Sequence, residues 1–202
     1  MGKEYRFITP FGTDDIAKLQ IGDMVYIDGE IVITAGLPTH QRIIQYIENG
    51  QSLPIDLSNS VFLHMGSYSK EKEGKTEVLY VNPTTSTRFN PYMPTIIRKF
   101  RVKAVGGKGG LDKNCVQSMK DTGCVYLSVL GAGCTLFSSQ IRDAIAVGWN
   151  DLVPHYRLVN LKVEHFGPLI VSIDAHGNSI YEKIDAGIKQ RMPAIMRDLS
   201  GT

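Results

Sequence analysis

Residues 81–92 read Val-Asn-Pro-Thr-Thr-Ser-Thr-Arg-Phe-Asn-Pro-Tyr. The hydroxyls of Thr84, Thr85, Ser86 and Thr87 stand directly before Arg88. A hydroxyl both donates and accepts, and a guanidinium offers a planar fork that matches a carboxylate. The stretch follows the apolar run "TEVLYV" (76–81), so it reads as a loop at the end of a strand. It is either a capped turn before a helix at Pro91 or a loop that holds an anion. A second loop, "VGGKGG" (105–110), sets Lys108 between two glycine pairs, after a strand and before a helix. Glycines such as Gly107 and Gly109 let backbone N–H groups approach a ligand, and a helix N-terminus adds partial positive charge. A tight turn would use the same glycines. The spacing is neither a Walker A loop nor a dinucleotide fingerprint. Two such loops at strand ends raise the expectation of one shared small-anion site.

Other candidates are sparse. The five histidines are His40, His64, His155, His165 and His176. No two are spaced to ligate a metal from one helix face. His64, His155 and His165 read as strand or surface residues, and His176 as part of the turn "DAHGN". His40 falls near the start of a helix over "LPTHQRIIQYIENG", which makes it the histidine to watch. The three cysteines, Cys115, Cys124 and Cys134, form no CxxC and no zinc pattern. They read as buried, reduced thiols of a cytoplasmic protein.

These loops need a scaffold, and the rest of the chain supplies one. The 202 residues are 43% hydrophobic and 21% charged, enough for a real core. The net charge is +2 with its basic residues scattered, which argues against nucleic acid as a partner. The start "MGKEYRFITPFG" has no signal-peptide core, and Arg6 spoils a myristoylation-like beginning at Gly2. No apolar stretch reaches about 18 residues, so no membrane span is expected.

Strands are expected at 5–9, 23–28 and 30–35, the last two joined by an Asp28-Gly29 hairpin. A helix N-capped by Thr13 lies between the first two, and a second helix starts at Pro38. Strands at 60–66 and 76–81 are joined by the charged loop "SYSKEKEGK". A short helix is expected at "PYMPTIIRKF", with further helices at "LDKNCVQSMKDTG", ending on Gly123, and over the 16 residues "CTLFSSQIRDAIAVGW". Strands follow at "CVYLSVLGAG", "YRLVNLKVEHF" and "PLIVSID". A last helix, at about 182–199, is interrupted near Pro193. With no internal repeat or low-complexity linker, residues 1–202 read as one α/β domain.

Taken in order, "GDMVYIDGEIVITA", a histidine, "NPTTSTR", "GGKGG", "GAGC" and "FGPLIVSIDAHGN" resemble a known family. It comprises the β subunit of L(+)-tartrate dehydratase and the C-terminal (β) domain of class I, iron–sulfur fumarate hydratases. The resemblance runs from about Thr9 to Tyr181. It implies a three-layer β/β/α swivelling domain with a mixed sheet and flanking helices. It implies a hydro-lyase that reversibly eliminates water from a small 2-hydroxy dicarboxylate. It also implies a [4Fe–4S] cluster ligated by a separate α subunit, not by this chain, and hence a hetero-oligomer. Residue by residue, Thr84 becomes the candidate proton acceptor, Lys108 a cation of the substrate pocket, and His40 a further catalytic candidate. Arg88 becomes the carboxylate clamp, with Thr85, Gly107 and Gly109 around the substrate.

The departures are as informative. Where the family shows T-A-R-D-x-x-H, this chain has Thr34, Ala35, Gly36, Leu37, Pro38, Thr39 and His40. The family's substrate arginine is therefore Gly36 here. Asn82 replaces a glycine, and Pro154-His155 replaces a P-E or E-A pair. A diverged subunit with an altered substrate or a non-catalytic binding role is the alternative reading. A small-molecule-binding domain acting alone is a third.

Overall fold

The computed structural model describes residues 2–72 and 75–200. Its strands are β1 (Glu4–Ile8), β2 (Met24–Ile33), β3 (Val61–Leu63), β4 (Met65–Lys72), β5 (Lys75–Pro83), β6 (Ala104–Gly107), β7 (Val125–Val129), β8 (Ile141–Gly148) and β9 (Leu158–Ile173). Its helices are α1 (Thr13–Ala17), α2 (Leu37–Glu48), α3 (Met93–Phe100), α4 (Lys113–Thr122), α5 (Cys134–Ser139) and α6 (Ile180–Ser200). Short 3-10 turns cover Ser86–Phe89 and Pro154–Tyr156.

The main sheet runs β1-β2-β3-β6-β7-β9-β8, and β2 pairs with β9 as well. The run from β1 to β7 is parallel, whereas β9 is antiparallel to β2, β7 and β8. Because β9 bonds to both β2 and β7, the sheet closes on itself. Alternation along the strands then builds two cores. Val61, Leu63, Ala104, Val125 and Leu127 point to one, together with Leu161 and Leu169 of β9. Phe62, Val105 and Tyr126 point to the other, where Ile43 of α2, Ile96 of α3 and Met119 of α4 cover them. Two β walls facing each other, with helices over one of them, give the β/β/α layering that the resemblance implies. Parallel neighbours need crossovers, and α2 and α4 are two of these. The connection from β3 to β6 contains the separate β4–β5 ribbon and α3.

Several expectations change. Asp28-Gly29 makes no hairpin: β2 continues through it, paired with β9 before and after, with register shifts between Val25 and Ile27 and between Ile27 and Gly29. Gly29 takes φ +102°, and Thr9 fills the space its missing side chain leaves. Thr9 N donates to Asp28 O at 2.9 Å, and Glu30 N donates to Thr9 Oγ1 at 2.6 Å. The dipeptide thus bends a strand instead of reversing it. The charged segment expected as a loop is largely strand β4, with Tyr68 stacked on Tyr80 at 5.8 Å and Lys70 paired with Glu77 at 3.5 Å. Residues 73–74 of that expected loop lie outside the described residues.

The long helix expected from Cys134 stops at Ser139, and Ile141–Gly148 forms β8 instead. Ile141, Ala144 and Val147 pack against the first core, and β9 offers an edge that only a strand can pair. The two late strands are one 16-residue strand. α1 is capped by Gly12, not Thr13. α6 continues through Pro193 and buries none of its residues. Among the described residues no helix is long and apolar enough to cross a membrane.

Candidate active site

The loop after β5 and the loop after β6 meet. Lys108 N donates to Thr84 O at 3.1 Å, and Ser86 N donates to Lys108 O at 2.8 Å. On the β3 side, His64 N donates to Gly106 O at 2.7 Å and Thr84 N donates to His64 O at 2.9 Å. Main-chain bonds therefore carry the sheet's ladder past the strand ends and set Thr84 beside Lys108. Ligand sites in such sheets characteristically form at the carboxyl ends of parallel strands, and β3 and β6 both end here.

Gly107 makes the approach feasible. A Cβ at this position would overlap Ser86 Oγ and stand 3.1 Å from Thr84 O, and φ is +155°. Gly109, at φ +85°, has Thr85 Cγ2 3.4 Å from where its Cβ would be.

Thr84 and Lys108 line a cleft of about 380 Å³, together with Gly66, Tyr68, Asn82 and His155. That volume suits a small molecule. Arg88 is exposed, and its Nη2 donates to Thr84 Oγ1. A guanidinium on a hydroxyl oxygen favours the hydroxyl's deprotonated form. Lys108 is exposed too, and none of the ion pairs among the described residues engages it. A larger groove of about 600 Å³ lies between Thr9, Glu30, Asp56, Asp143 and Lys162. Its three carboxylates make it the wrong sign for an anion, so the smaller cleft is the candidate.

Beneath the cleft lies a buried polar chain. Ser86 Oγ bridges His64 Nδ1 and Tyr126 OH, each at 2.8 Å. His64, Ser86 and Tyr126 are all buried, so His64 Nδ1, Ser86 Oγ and Tyr126 OH depend on one another for their hydrogen bonds.

His40 does not reach the cleft. It is fully buried, stacked on Phe89 at 3.9 Å, with its ring 5.2 Å from that of His64. Its Nδ1 lies 2.7 Å from Gly36 O, and since a carbonyl only accepts, Nδ1 carries the proton. Burial pushes the His40 pKa down to about 4, with the nearby Arg88 charge acting the same way. Burial, then His40, then Arg88 also hold His64 well below the ordinary imidazole range. Both rings are neutral, so Arg88 can sit nearby without like-charge repulsion.

The sequence candidates therefore divide. Thr84 and Lys108 share the cleft, Arg88 reaches it through Thr84, and Thr85, Gly107 and Gly109 shape its main chain. His40 supports the Phe89 turn from below. Sequence reasoning missed His155 as a cleft residue, and it missed the His64–Ser86–Tyr126 chain. Only the Pro154-His155 departure pointed toward the former.

Position 36 is closed. A Cβ on Gly36 would overlap Thr39 Oγ1 and stand 2.8 Å from Tyr156 O. Any side chain there, an arginine included, would displace the turn Pro154–Tyr156.

Among the described residues no group of three or more His, Cys, Asp or Glu could hold a metal ion. Cys115 and Cys124 are buried, and burial pushes both thiols up, away from the thiolate that ligates iron. The described residues do not fit an iron–sulfur cluster.

The chain belongs to the Fumarase C-terminus family, whose model matches residues 7–184. A Methanocaldococcus jannaschii protein provisionally named L(+)-tartrate dehydratase subunit beta is 34% identical over 179 residues, 88% of this chain and 91% of that one. L(+)-tartrate dehydratase subunit beta of Escherichia coli K12 is 31% identical over 196 residues, covering 95% of this chain and 93% of that one. A Geobacillus stearothermophilus protein, provisionally named fumarate hydratase class I, is 31% identical over 193 residues. That alignment takes in 94% of this chain but 36% of the longer protein. These names describe hydro-lyases, in which this sequence matches a β subunit or one part of a longer chain.

Proposed function

We propose that the chain is the β subunit of an iron–sulfur hydro-lyase that reversibly eliminates water from a small 2-hydroxy dicarboxylate. The observation that carries this reading is the meeting of the Thr84–Arg88 loop and the Lys108 loop at one cleft. Removing a proton next to a carboxylate gathers negative charge on that carboxylate, and preorganised cations stabilise it there. Lys108 meets that charge from one wall. Arg88 binds a substrate carboxylate and stabilises Thr84 as its alkoxide, the form that accepts the proton. A threonine is a weak base, and the guanidinium on its oxygen is what makes the role feasible. Thr85, Gly107 and Gly109 hold the main chain around the substrate. His40 keeps the Phe89 turn, and with it Arg88, in place.

A [4Fe–4S] cluster would belong to an α subunit, a reading supported by the lack of a ligand set among the described residues. The working enzyme is then a hetero-oligomer, and it works in the cytoplasm, where three unpaired thiols stay reduced. The test is the α/β complex, reconstituted without oxygen and assayed across C4 and C5 hydroxy acids and enoates. Arg88→Ala and Lys108→Ala each abolish turnover while the melting temperature holds. Full activity in both variants overturns the assignment.

The closed position at Gly36 favours a second reading, a paralogous subunit with a changed substrate or none. It predicts α-subunit binding that survives Arg88→Ala, with no turnover on the whole panel.

A further inference from the structure

The turn Pro154–Tyr156 is held through its main-chain carbonyls, and the segment leading into it is braced by Arg157. Ala35 N donates to His155 O at 3.1 Å, and Thr34 Oγ1 donates to Tyr156 O at 3.0 Å. Thr39 Oγ1 donates to that same carbonyl. From the other side, Arg157 Nε donates to Leu152 O at 3.0 Å and Arg157 Nη2 to Asn150 O at 3.1 Å. None of these bonds uses the His155 ring. The ring sits edge-on to Tyr156, 4.4 Å between centroids, and is exposed in the cleft. Gly66 makes room for it, since a Cβ there would stand 3.0 Å from His155 Cβ. The backbone is thus fixed on both sides while the imidazole's nitrogens stay open to a ligand.

The position within the cleft adds direction. His155 borders it where Gly66 and Ala35 form the wall. Lys108 borders it on the side of Thr84, to which its main chain is bonded. Thr84 in turn bonds to His64, two residues before Gly66. Lys108 beside Thr84 and His155 beside Gly66 therefore line the same cleft.

We propose that His155 is a substrate-binding, specificity-determining residue, which takes a carboxylate or hydroxyl oxygen at the Gly66 side while Lys108 and Arg88 take the other end. The ligand class is a short chain with oxygen acceptors at both ends; a monocarboxylate would leave His155 unused. This inference rests on the proposed dicarboxylate hydro-lyase reading, and its test is built to fail separately.

The α/β complex is made with wild-type chain, His155→Ala and His155→Gln. In the variant lacking the ring, KM for the dicarboxylate rises about 10- to 100-fold with kcat within about twofold. Glutamine, which keeps a donor, recovers part of that loss. An unchanged KM in His155→Ala, or a fall in kcat alone, overturns the inference while leaving the hydro-lyase reading intact. Succinate, a non-reacting dicarboxylate, is then titrated into the complex by calorimetry and into the chain alone while the His155 ring signals are followed by NMR. This measurement needs no turnover. Movement of those signals, and succinate binding weakened about 10-fold or more in His155→Ala, support the inference even if the panel is silent. Still signals together with equal succinate affinity in wild type and His155→Ala overturn it.

Discussion

Acidification gives a quantitative test of the buried layer under the cleft. His40 is neutral in the fold, its pKa pushed down from 6.5 to about 4 by burial first and by the Arg88 charge. In the unfolded chain the ring recovers its ordinary value. Between pH 6.5 and 4 the unfolded chain therefore binds more protons than the folded one, and acid favours unfolding. The stability from keeping His40 neutral is complete above about pH 6.5 and is lost as pH falls toward 4. From pH 7.5 to 4.5 the loss from this ring alone comes to about 2.5 kcal/mol. His64 shifts in the same direction and adds to the slope. The perturbation is His40→Gln, which keeps a donor for Gly36 O and removes the titration. Urea unfolding of wild type and variant at the two pH values gives the double difference directly. The wild type should lose about 2.5 kcal/mol more than the variant. Equal losses, within about 0.5 kcal/mol, would refute the claim that His40 is held neutral in the fold.

Other consequences are as direct. Gly107→Ala, at φ +155° with its Cβ overlapping Ser86 Oγ, should cost about 3 kcal/mol or more in urea unfolding and weaken anion binding. Ser86→Ala strands His64 Nδ1 and Tyr126 OH, and should cost about 2–4 kcal/mol with no new cavity large enough to explain it. Gly36→Arg should destabilise the chain and shift the His155 ring's NMR signals, because the turn carrying Tyr156 must move; an unchanged melting temperature would show that the turn yields freely. Asp112→Ala removes the cap that accepts from Cys115 N at 3.0 Å and should lower stability by about 1 kcal/mol, read as a shift in urea midpoint.

What the sequence made legible was local. Both loops could be read because threonine, arginine, lysine and glycine declare their chemistry within a few residues of one another. α4 could be read as a helix ending on Gly123, which takes φ +69°. What stayed hidden depended on partners distant in sequence. Asp28-Gly29 carries a hairpin signature, yet β9 pairs with both sides of it and holds the strand open. "IRDAIAVG" fits helix or strand by pattern, and the free edge of β9 decides. His155 enters the cleft only because residues 34–39 hold its turn from across the fold. His40 looked like a functional residue at a helix start. Its placement over Phe89, and under cover, follows from how α2 packs on the turn Ser86–Phe89.

The frame that sets Thr84 beside Lys108 consists of amide and carbonyl atoms of residues 64, 84, 86, 106 and 108. Most side chains that face a ligand contribute nothing to that frame. Recognition and architecture can therefore drift separately: an exchange at Asn82, Lys108 or His155 alters what is bound without loosening the geometry that binds it. Ser86, whose hydroxyl anchors the buried chain, and Gly107, where a Cβ would overlap that hydroxyl, are the positions where a side-chain change would disturb the frame itself. A scaffold partitioned in this way can be re-targeted by single substitutions, and selection for new ligands should find its footholds on the walls of the cleft and not in its floor.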